Sequence, residues 1–261
     1  MPELVEIEAY RRLAESKALG RRIVEVVAPD AWWLKGGLTS TGLADALTGR
    51  SFTAARRTGK RLWLDTDAGG PVLGLRFGMT GRLLVDGTAG VDELIYSSNR
   101  DVGSWDRIVV RFADGGDLRV RDARRLGGAE LEPDEARLGP DAASLSVAGL
   151  TRALGTSKAP LKARLMDQAR VSGLGNLLVD EILYRAGLDP ARPAGSLDPA
   201  ELRRLQSWIR RTVERLQDQG SHAGEIGPAR QPGGVCPKDG TPLVRRTVGG
   251  RTTWSCPTHQ R

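Results

Sequence analysis

The periodicity of the chain changes from strand-like to helical at Pro133, and that change limits the folds open to it more than any other feature. Between residues 22 and 132 the apolar residues come in short runs: Ile23-Val24-Glu25-Val26, Leu62-Trp63-Leu64, Val72-Leu73-Gly74-Leu75, Arg82-Leu83-Leu84-Val85, Ile108-Val109-Val110 and Leu118-Arg119-Val120. Turn-forming stretches divide them, at Asp67-Ala68-Gly69-Gly70, Asp86-Gly87 and Asp114-Gly115-Gly116. Many short strands joined by hairpins predict a β-sandwich or barrel. After Pro133 the spacing turns helical, with helices expected near 134–137, 146–154, 158–169, 175–186 and 198–218. Asp198 reads as an N-cap with Pro199 at the first helical position. Ahead of the strands, Leu4, Ile7, Tyr10 and Leu13 share one face of a helix over 3–19 that Gly20 closes.

The fold class expected is therefore α+β with several domains. A β-sandwich with an N-terminal helix occupies 1–132, a helical domain 133–220, a Gly/Pro-rich linker 221–234 and a hairpin-like unit 235–261. The last has too few apolar residues to fold alone. A chain of 261 residues with 39 Lys+Arg against 32 Asp+Glu carries a formal charge of +7. Nearly all of the basic side is arginine, with lysine only at 17, 35, 60, 158, 162 and 238. Arginine forks fit phosphate geometry, so a nucleic-acid partner is expected; a GC-rich genome raises arginine as well and is the competing explanation. No apolar run approaches the ~20 residues a membrane span needs. The N-terminus is acidic and amphipathic, unlike a signal peptide. These points give a cytoplasmic protein with no membrane partner. Two cysteines, Cys236 and Cys256, exclude a disulfide framework and raise the question of metal.

Two segments carry chemistry. Removal of Met1 leaves Pro2 as the terminus, a stiff secondary amine with Glu3 beside it. An α-amino group titrates near ~8, so part of it is nucleophilic at neutral pH, and a neighbouring carboxylate can move protons. The competing reading is a helix-start proline with Glu3, Glu6 and Glu8 at the positive end of the helix. The second segment runs from Lys162 through Leu165-Met166-Asp167-Gln168 to Gly173-Leu174-Gly175-Asn176 and Glu181: a helix, a glycine turn and a second helix. Exposed N–H groups at such a turn suit a phosphate, and the same pattern also serves as a plain packing corner.

Taken in order, Met1-Pro-Glu-Leu-x-Glu-x-Glu, Leu165-Met-Asp-Gln with Gly173-x-Gly-Asn176-x-x-x-x-Glu181, and Cys236…Gly250-Arg251-x-Thr-x-x-Cys256-Pro resemble the formamidopyrimidine-DNA glycosylase/endonuclease VIII family. The resemblance spans nearly the whole chain. It implies an N-terminal β-sandwich, a helix–two-turn–helix domain and a C-terminal zinc-finger hairpin, acting on double-stranded DNA that contains damaged bases or abasic sites, as a monomer. It implies that Pro2 attacks the sugar C1′ of a flipped nucleotide to form a Schiff base, with Glu3 as proton donor and acceptor. Lys60, in Arg56-Arg57-Thr58-Gly59-Lys60-Arg61, matches a lysine that contacts the phosphate beside the lesion; by itself it is an ordinary basic hairpin. Asn176 and Lys162 would grip backbone phosphates, and Arg251 those flanking the lesion. Met79, Arg124 and Leu126, with Arg125 in the same loop, match the side chains that fill the hole left by the extruded base. Met79 taken alone reads equally as a core methionine.

The chain departs from the family in four places. Its finger reads Cys236-Pro-Lys-Asp239 and Cys256-Pro-Thr-His259 where the family has four cysteines, and both replacements are competent zinc ligands. Leu126 stands where an aromatic is usual. The segment before Cys236 is short where relatives that recognise 8-oxoguanine carry a capping loop, and Trp105 takes the place of a DNA-contacting histidine. The expected activity is base removal followed by β- and δ-elimination. The rivals are a lesion-binding DNA protein with little or no turnover and a basic helix–turn–helix transcription factor; neither makes use of Pro2.

Overall fold

Residues 2–91, 94, 98, 100–219 and 224–261 are described by a computed structural model. The chain divides into two compact units, Met1–Pro2 with Glu6–Glu135, and Glu3–Val5 with Ala136–Arg261. The boundary near 135 lies close to the change of periodicity. Glu3–Val5 joins the helical unit, as does the C-terminal hairpin that the sequence set apart.

The first unit is two antiparallel sheets over one core. Helix α1 (Leu4–Lys17) runs in from the second unit. Strands β1 (Ile23–Val27), β7 (Asp106–Phe112), β8 (Asp117–Arg121), β5 (Arg82–Val85) and β6 (Thr88–Ala89) form one sheet in that order. Strands β2 (Phe52–Thr58), β3 (Arg61–Thr66), β4 (Leu73–Arg76) and β9 (Gly128–Leu131) form the other. A short helix α2 (Ser40–Leu47) is capped by the Thr39 side chain. Ile7, Tyr10 and Ala14 of α1 pack with Ile23, Phe52, Leu62, Leu73, Phe77, Val110 and Leu118 in the core. Each such large side chain removed from water contributes about 1.5–3 kcal/mol.

Two local features were not legible in the apolar pattern. A register shift between Ile23 and Glu25 puts Val24 outside at 49% exposure while Ile23 and Val26 are buried, so Ile-Val-Glu-Val does not alternate simply. Strand β2, with two arginines and only Phe52 and Ala55 buried, lacks a strand's apolar alternation, although its end reads as a basic hairpin. It is the edge strand of its sheet, where charged residues suit solvent and discourage further pairing.

The second unit contains α3 (Val147–Leu154), α4 (Leu161–Met166), α5 (Asn176–Ala186) and α6 (Pro199–Gln219). Leu150, Leu161, Leu165, Leu178, Ile182, Leu205, Ile209 and Val213 are buried together with Leu4 and Val5. The caps follow the sequence. Ser146 accepts from Gly149, and Asp198 accepts from Ala200 and Glu201 while Glu201 accepts from the Asp198 N–H. Helix α4 is shorter than the expected 158–169, because the Asp167 carboxylate accepts the Ala169 N–H and diverts the chain into a turn. Strands β10 (Val244–Val248) and β11 (Arg251–Ser255) make a hairpin closed by Gly249 and Gly250, both at positive φ as a tight two-residue turn requires.

The expected linker 221–234 needs correction over its described part. Ile226 is fully buried with Tyr184, Cys236 and Trp254, its N–H donates to Glu181, and Arg230 pairs with Asp180. One apolar side chain and one arginine suffice to fix the segment on α5 despite its glycines. Residues 220–223 lie outside the described residues. No helix among the described residues is long and apolar enough to cross a membrane.

Candidate functional site

In the first unit three expected side chains come from two turns locked together. Gly78 takes φ +58°, and a Cβ there would lie 2.4 Å from the Leu126 backbone, so the 77–81 and 122–127 turns touch main chain to main chain. The lock is Asp122, fully buried. Its carboxylate accepts from Thr80 Oγ1 (2.5 Å), Trp33 Nε1 (3.1 Å) and the N–H groups of Gly127 (2.8 Å) and Arg124 (3.3 Å). With these donors satisfied inside, Arg124 is exposed, its guanidinium 3.8 Å from Met79 Sδ, and Leu126 is 47% exposed. Met79, Arg124 and Leu126 are thus brought together at the surface. Arg125 differs: its guanidinium forms a two-point pair with Asp30 at 2.6 Å and its backbone sits at φ +57°. It therefore shapes the loop and holds it to the Ala31–Trp33 turn, where the sequence had it facing DNA beside Arg124. Trp105 ends a short turn whose carbonyl accepts the Asp122 N–H, with the Arg100 guanidinium over its ring.

Lys60 stands in the two-residue turn between β2 and β3, with Gly59 before it at φ +58°. Arg57 braces this turn. It donates to the Gly59 carbonyl (3.0 Å) and to Glu8 of α1 (3.1 Å), which ties the hairpin to the helix that follows Pro2. Arg57 and Asp122 as supports are not legible in the sequence, because each depends on a distant partner as well as near ones: Glu8 for Arg57, and Thr80 and Trp33 for Asp122.

In the second unit the expected glycine turn receives Glu3. Its carboxylate accepts from the N–H groups of Gly175 (3.0 Å), Leu177 (2.9 Å) and Leu178 (3.1 Å), while the Leu4 N–H donates to Gly173. Helix α5 has no side-chain cap of its own, so a carboxylate 172 residues away in sequence closes its positive end. Gly175 is required for this: a Cβ would come within 2.3 Å of Glu3 Cδ. Pro2 and Glu3 precede α1 as non-helical backbone, so Pro2 is not a helical residue. Asn176, the first residue of α5, keeps its Oδ1 without an internal partner.

Lys162 contradicts its expected role. It is fully buried and donates to Asp180 Oδ1 (2.6 Å), the Thr252 carbonyl (3.1 Å) and Thr253 Oγ1 (2.9 Å), so it has no face for a phosphate. Burial, the largest influence on both, draws Lys162 below and Asp180 above their ordinary values; each opposes the shift of the other. Arg230 completes the knot on Asp180 Oδ2. Arg251 stands exposed at the start of β11.

Cys236, Asp239, Cys256 and His259 converge, with one ligand atom from each lying within 4.8 Å of the others. Cys256 Sγ is 3.3 Å from Asp239 Oδ2, Cys236 Sγ 3.4 Å from His259 Nδ1, and His259 Nδ1 3.6 Å from Asp239 Oδ2. A tetrahedral zinc site with these donors has edges of about 3.3–3.8 Å. His259 Nε2 lies 3.1 Å from the Tyr184 carbonyl, which only accepts; Nε2 therefore carries the proton and Nδ1 keeps its lone pair for a metal. The Thr241 N–H, and after it Cys236, hold the Asp239 carboxyl below its ordinary range. The four residues fit zinc.

The N-terminal domain of formamidopyrimidine-DNA glycosylase matches residues 1–129, and the H2TH domain of that enzyme matches residues 138–223. A formamidopyrimidine-DNA glycosylase of Cereibacter sphaeroides is 35% identical over 290 residues, covering 100% of both chains. One from Arabidopsis thaliana is 30% identical over 280 residues, covering 100% of this chain and 71% of its own. The fold is that of Lactococcus lactis Fpg, solved in complex with DNA containing an abasic site, at a TM-score of 0.84, 23% identity and full coverage of both chains. The chain belongs to the formamidopyrimidine-DNA glycosylase family.

Proposed function

We propose that the protein is a bifunctional DNA glycosylase and abasic-site lyase of base excision repair. The observation that carries this reading is the seat of Glu3. Three N–H groups at the start of α5 fix its carboxylate, and Pro2 is the residue bonded to it. A covalent nucleophile is effective when its neighbours hold it in one place, and the chain fixes Pro2 from the side of Glu3. With Met1 removed, the Pro2 nitrogen attacks C1′ of the damaged nucleotide and the base leaves; the C1′–O4′ bond then opens with a proton passed to O4′, and the resulting Schiff base permits loss of the 3′-phosphate by β-elimination and of the 5′-phosphate by δ-elimination, Glu3 moving the protons. Lys60, Asn176 and Arg251 hold phosphates; Met79, Arg124 and Leu126 enter the space left by the flipped base. Leucine wedges there without the stacking an aromatic ring adds. Lactococcus lactis Fpg has been solved with an abasic-site DNA and with a FAPY-dG DNA, which supports damaged duplex DNA as the partner.

Zinc would be held by Cys236, Asp239, Cys256 and His259, and its contribution would be to cross-link the two turns that flank the Arg251 hairpin. Borohydride trapping on duplexes with abasic, oxidised-purine and oxidised-pyrimidine sites tests the reading. A trapped species that disappears in Pro2→Gly is expected. Lesion binding without any trapped species or strand cleavage would favour the binding-only rival.

A further inference from the structure

The knot around Lys162 is a fully buried ionic feature of the second unit that the chemistry above does not use. The Lys162 ammonium has three donors and meets three acceptors: one oxygen of Asp180, the carbonyl of Thr252 and the hydroxyl of Thr253. Lys162, Asp180 and Thr253 are all fully buried. The Thr253 hydroxyl, having accepted from Lys162, donates its own proton to the Arg251 carbonyl at 3.0 Å. Hydrogen bonds that trace back to one ammonium therefore reach the carbonyls of both Arg251 and Thr252. On the other side of the turn Gly249 lies against α4, where a Cβ would come within 2.6 Å of the Ala163 Cβ. Arg230 takes the remaining oxygen of Asp180 and anchors the segment that leads into the hairpin.

A hairpin this polar has few other anchors at its tip, the buried Val248 opposite Arg251 being one. Thr252 faces solvent, Arg246 is tied to Asp189, and the apolar contacts of the unit, Trp254 and Leu243, lie toward the far end. We propose that Lys162 is a positioning residue for Arg251: its buried ammonium, relayed through Thr253, fixes the backbone from which Arg251 reaches a DNA phosphate. This rests on the reading of Arg251 given above. It assigns Lys162 an effect on the reaction without any contact with DNA.

The relay is tested by Lys162→Met, Thr253→Val, Arg251→Ala and the Lys162→Met/Arg251→Ala double variant in the full chain. Thr253→Val keeps the shape of the side chain and removes only the hydroxyl, so it reports on the relay even where Lys162→Met folds poorly. Amide exchange at residues 249–253 is expected to rise about tenfold or more in Lys162→Met and in Thr253→Val, with the zinc content unchanged. Cleavage of an abasic-site duplex is expected to fall about 10–100-fold in Lys162→Met, the scale of a small misplacement of a binding group. The double variant should be no slower than Arg251→Ala, because Lys162 acts only through it. Losses that multiply in the double variant would overturn the proposal, as would parental exchange at 249–253 in both Lys162→Met and Thr253→Val. If Arg251→Ala cleaves at the parental rate, the phosphate role of Arg251 fails, and the exchange measurement still decides whether Lys162 holds the hairpin.

Discussion

Two fully buried carboxylates, Asp122 in the first unit and Asp180 in the second, are satisfied in opposite ways, although the first unit also buries an ion pair of its own, Arg121 with Asp106. Asp122 has its oxygens taken up by a threonine, a tryptophan and two backbone N–H groups, and Arg124 beside it is exposed. Asp180 is buried to the same degree, yet its oxygens are taken up by Lys162 and Arg230. A buried carboxylate satisfied by neutral donors shapes a turn and leaves nearby arginines available. One satisfied by cations draws them into the interior and makes them part of the frame. Lys162 is of a residue type that grips phosphates, but Asp180 draws it inside, where Thr252 and Thr253 take its other donors.

The sharpest way to break this contrast is to remove each carboxylate. Asp180→Ala leaves two cations buried without compensation and should cost about 3–5 kcal/mol in urea unfolding, while a paired replacement of the carboxylate and both of its cations (Asp180→Leu with Lys162→Met and Arg230→Met) should come close to the parent. Asp122→Ala orphans neutral donors only, so about 1–3 kcal/mol is expected. Equal costs for Asp180→Ala and the paired replacement would show that charge compensation is not what holds the knot. Metal gives the next contrast. Chelation should raise amide exchange across 244–255 by roughly 100-fold and leave the strands of the sandwich unit as they were, since no ligand of the proposed zinc comes from that unit. Loss of protection in both units together would remove the distinction.

The smallest effect belongs to the surface. Arg21 bridges Asp86 and Asp114 in the sandwich unit, and its hydrogen bond to Asp114 is the main reason that carboxyl is lowered to about 2. A lowered carboxyl stabilises the fold above its unfolded value near ~3.9 and loses that contribution as the pH falls toward its folded value. Asp114→Asn should therefore be slightly less stable than the parent at neutral pH, and the gap should close between pH ~4 and ~2. A gap that widens on acidification would show that the bridge is not the cause.

Much of this was readable in the sequence. Strand runs such as Leu62-Trp63-Leu64, the Asp198 cap and the glycine turn at 173–175 are local, and local physics decides them. What was not readable depends on distant partners. Lys162 finds Asp180 after 18 residues and Thr253 after 91, and Arg57 finds Glu8 across 49. The period of a helix or strand says which face a residue takes and nothing of what waits there. The four candidate metal ligands were legible because their spacing within each turn is itself the signal, and the four do converge.

The N-terminal proline, bonded to the Glu3 that caps α5, is the proposed covalent nucleophile. The most direct measurement is mass-spectrometric mapping of the borohydride-trapped DNA adduct on the protein with Met1 removed. The account predicts the sugar remnant on the Pro2 nitrogen, with no adduct in Pro2→Gly. An adduct carried on Lys60 or another lysine, with Pro2 unmodified, would contradict it.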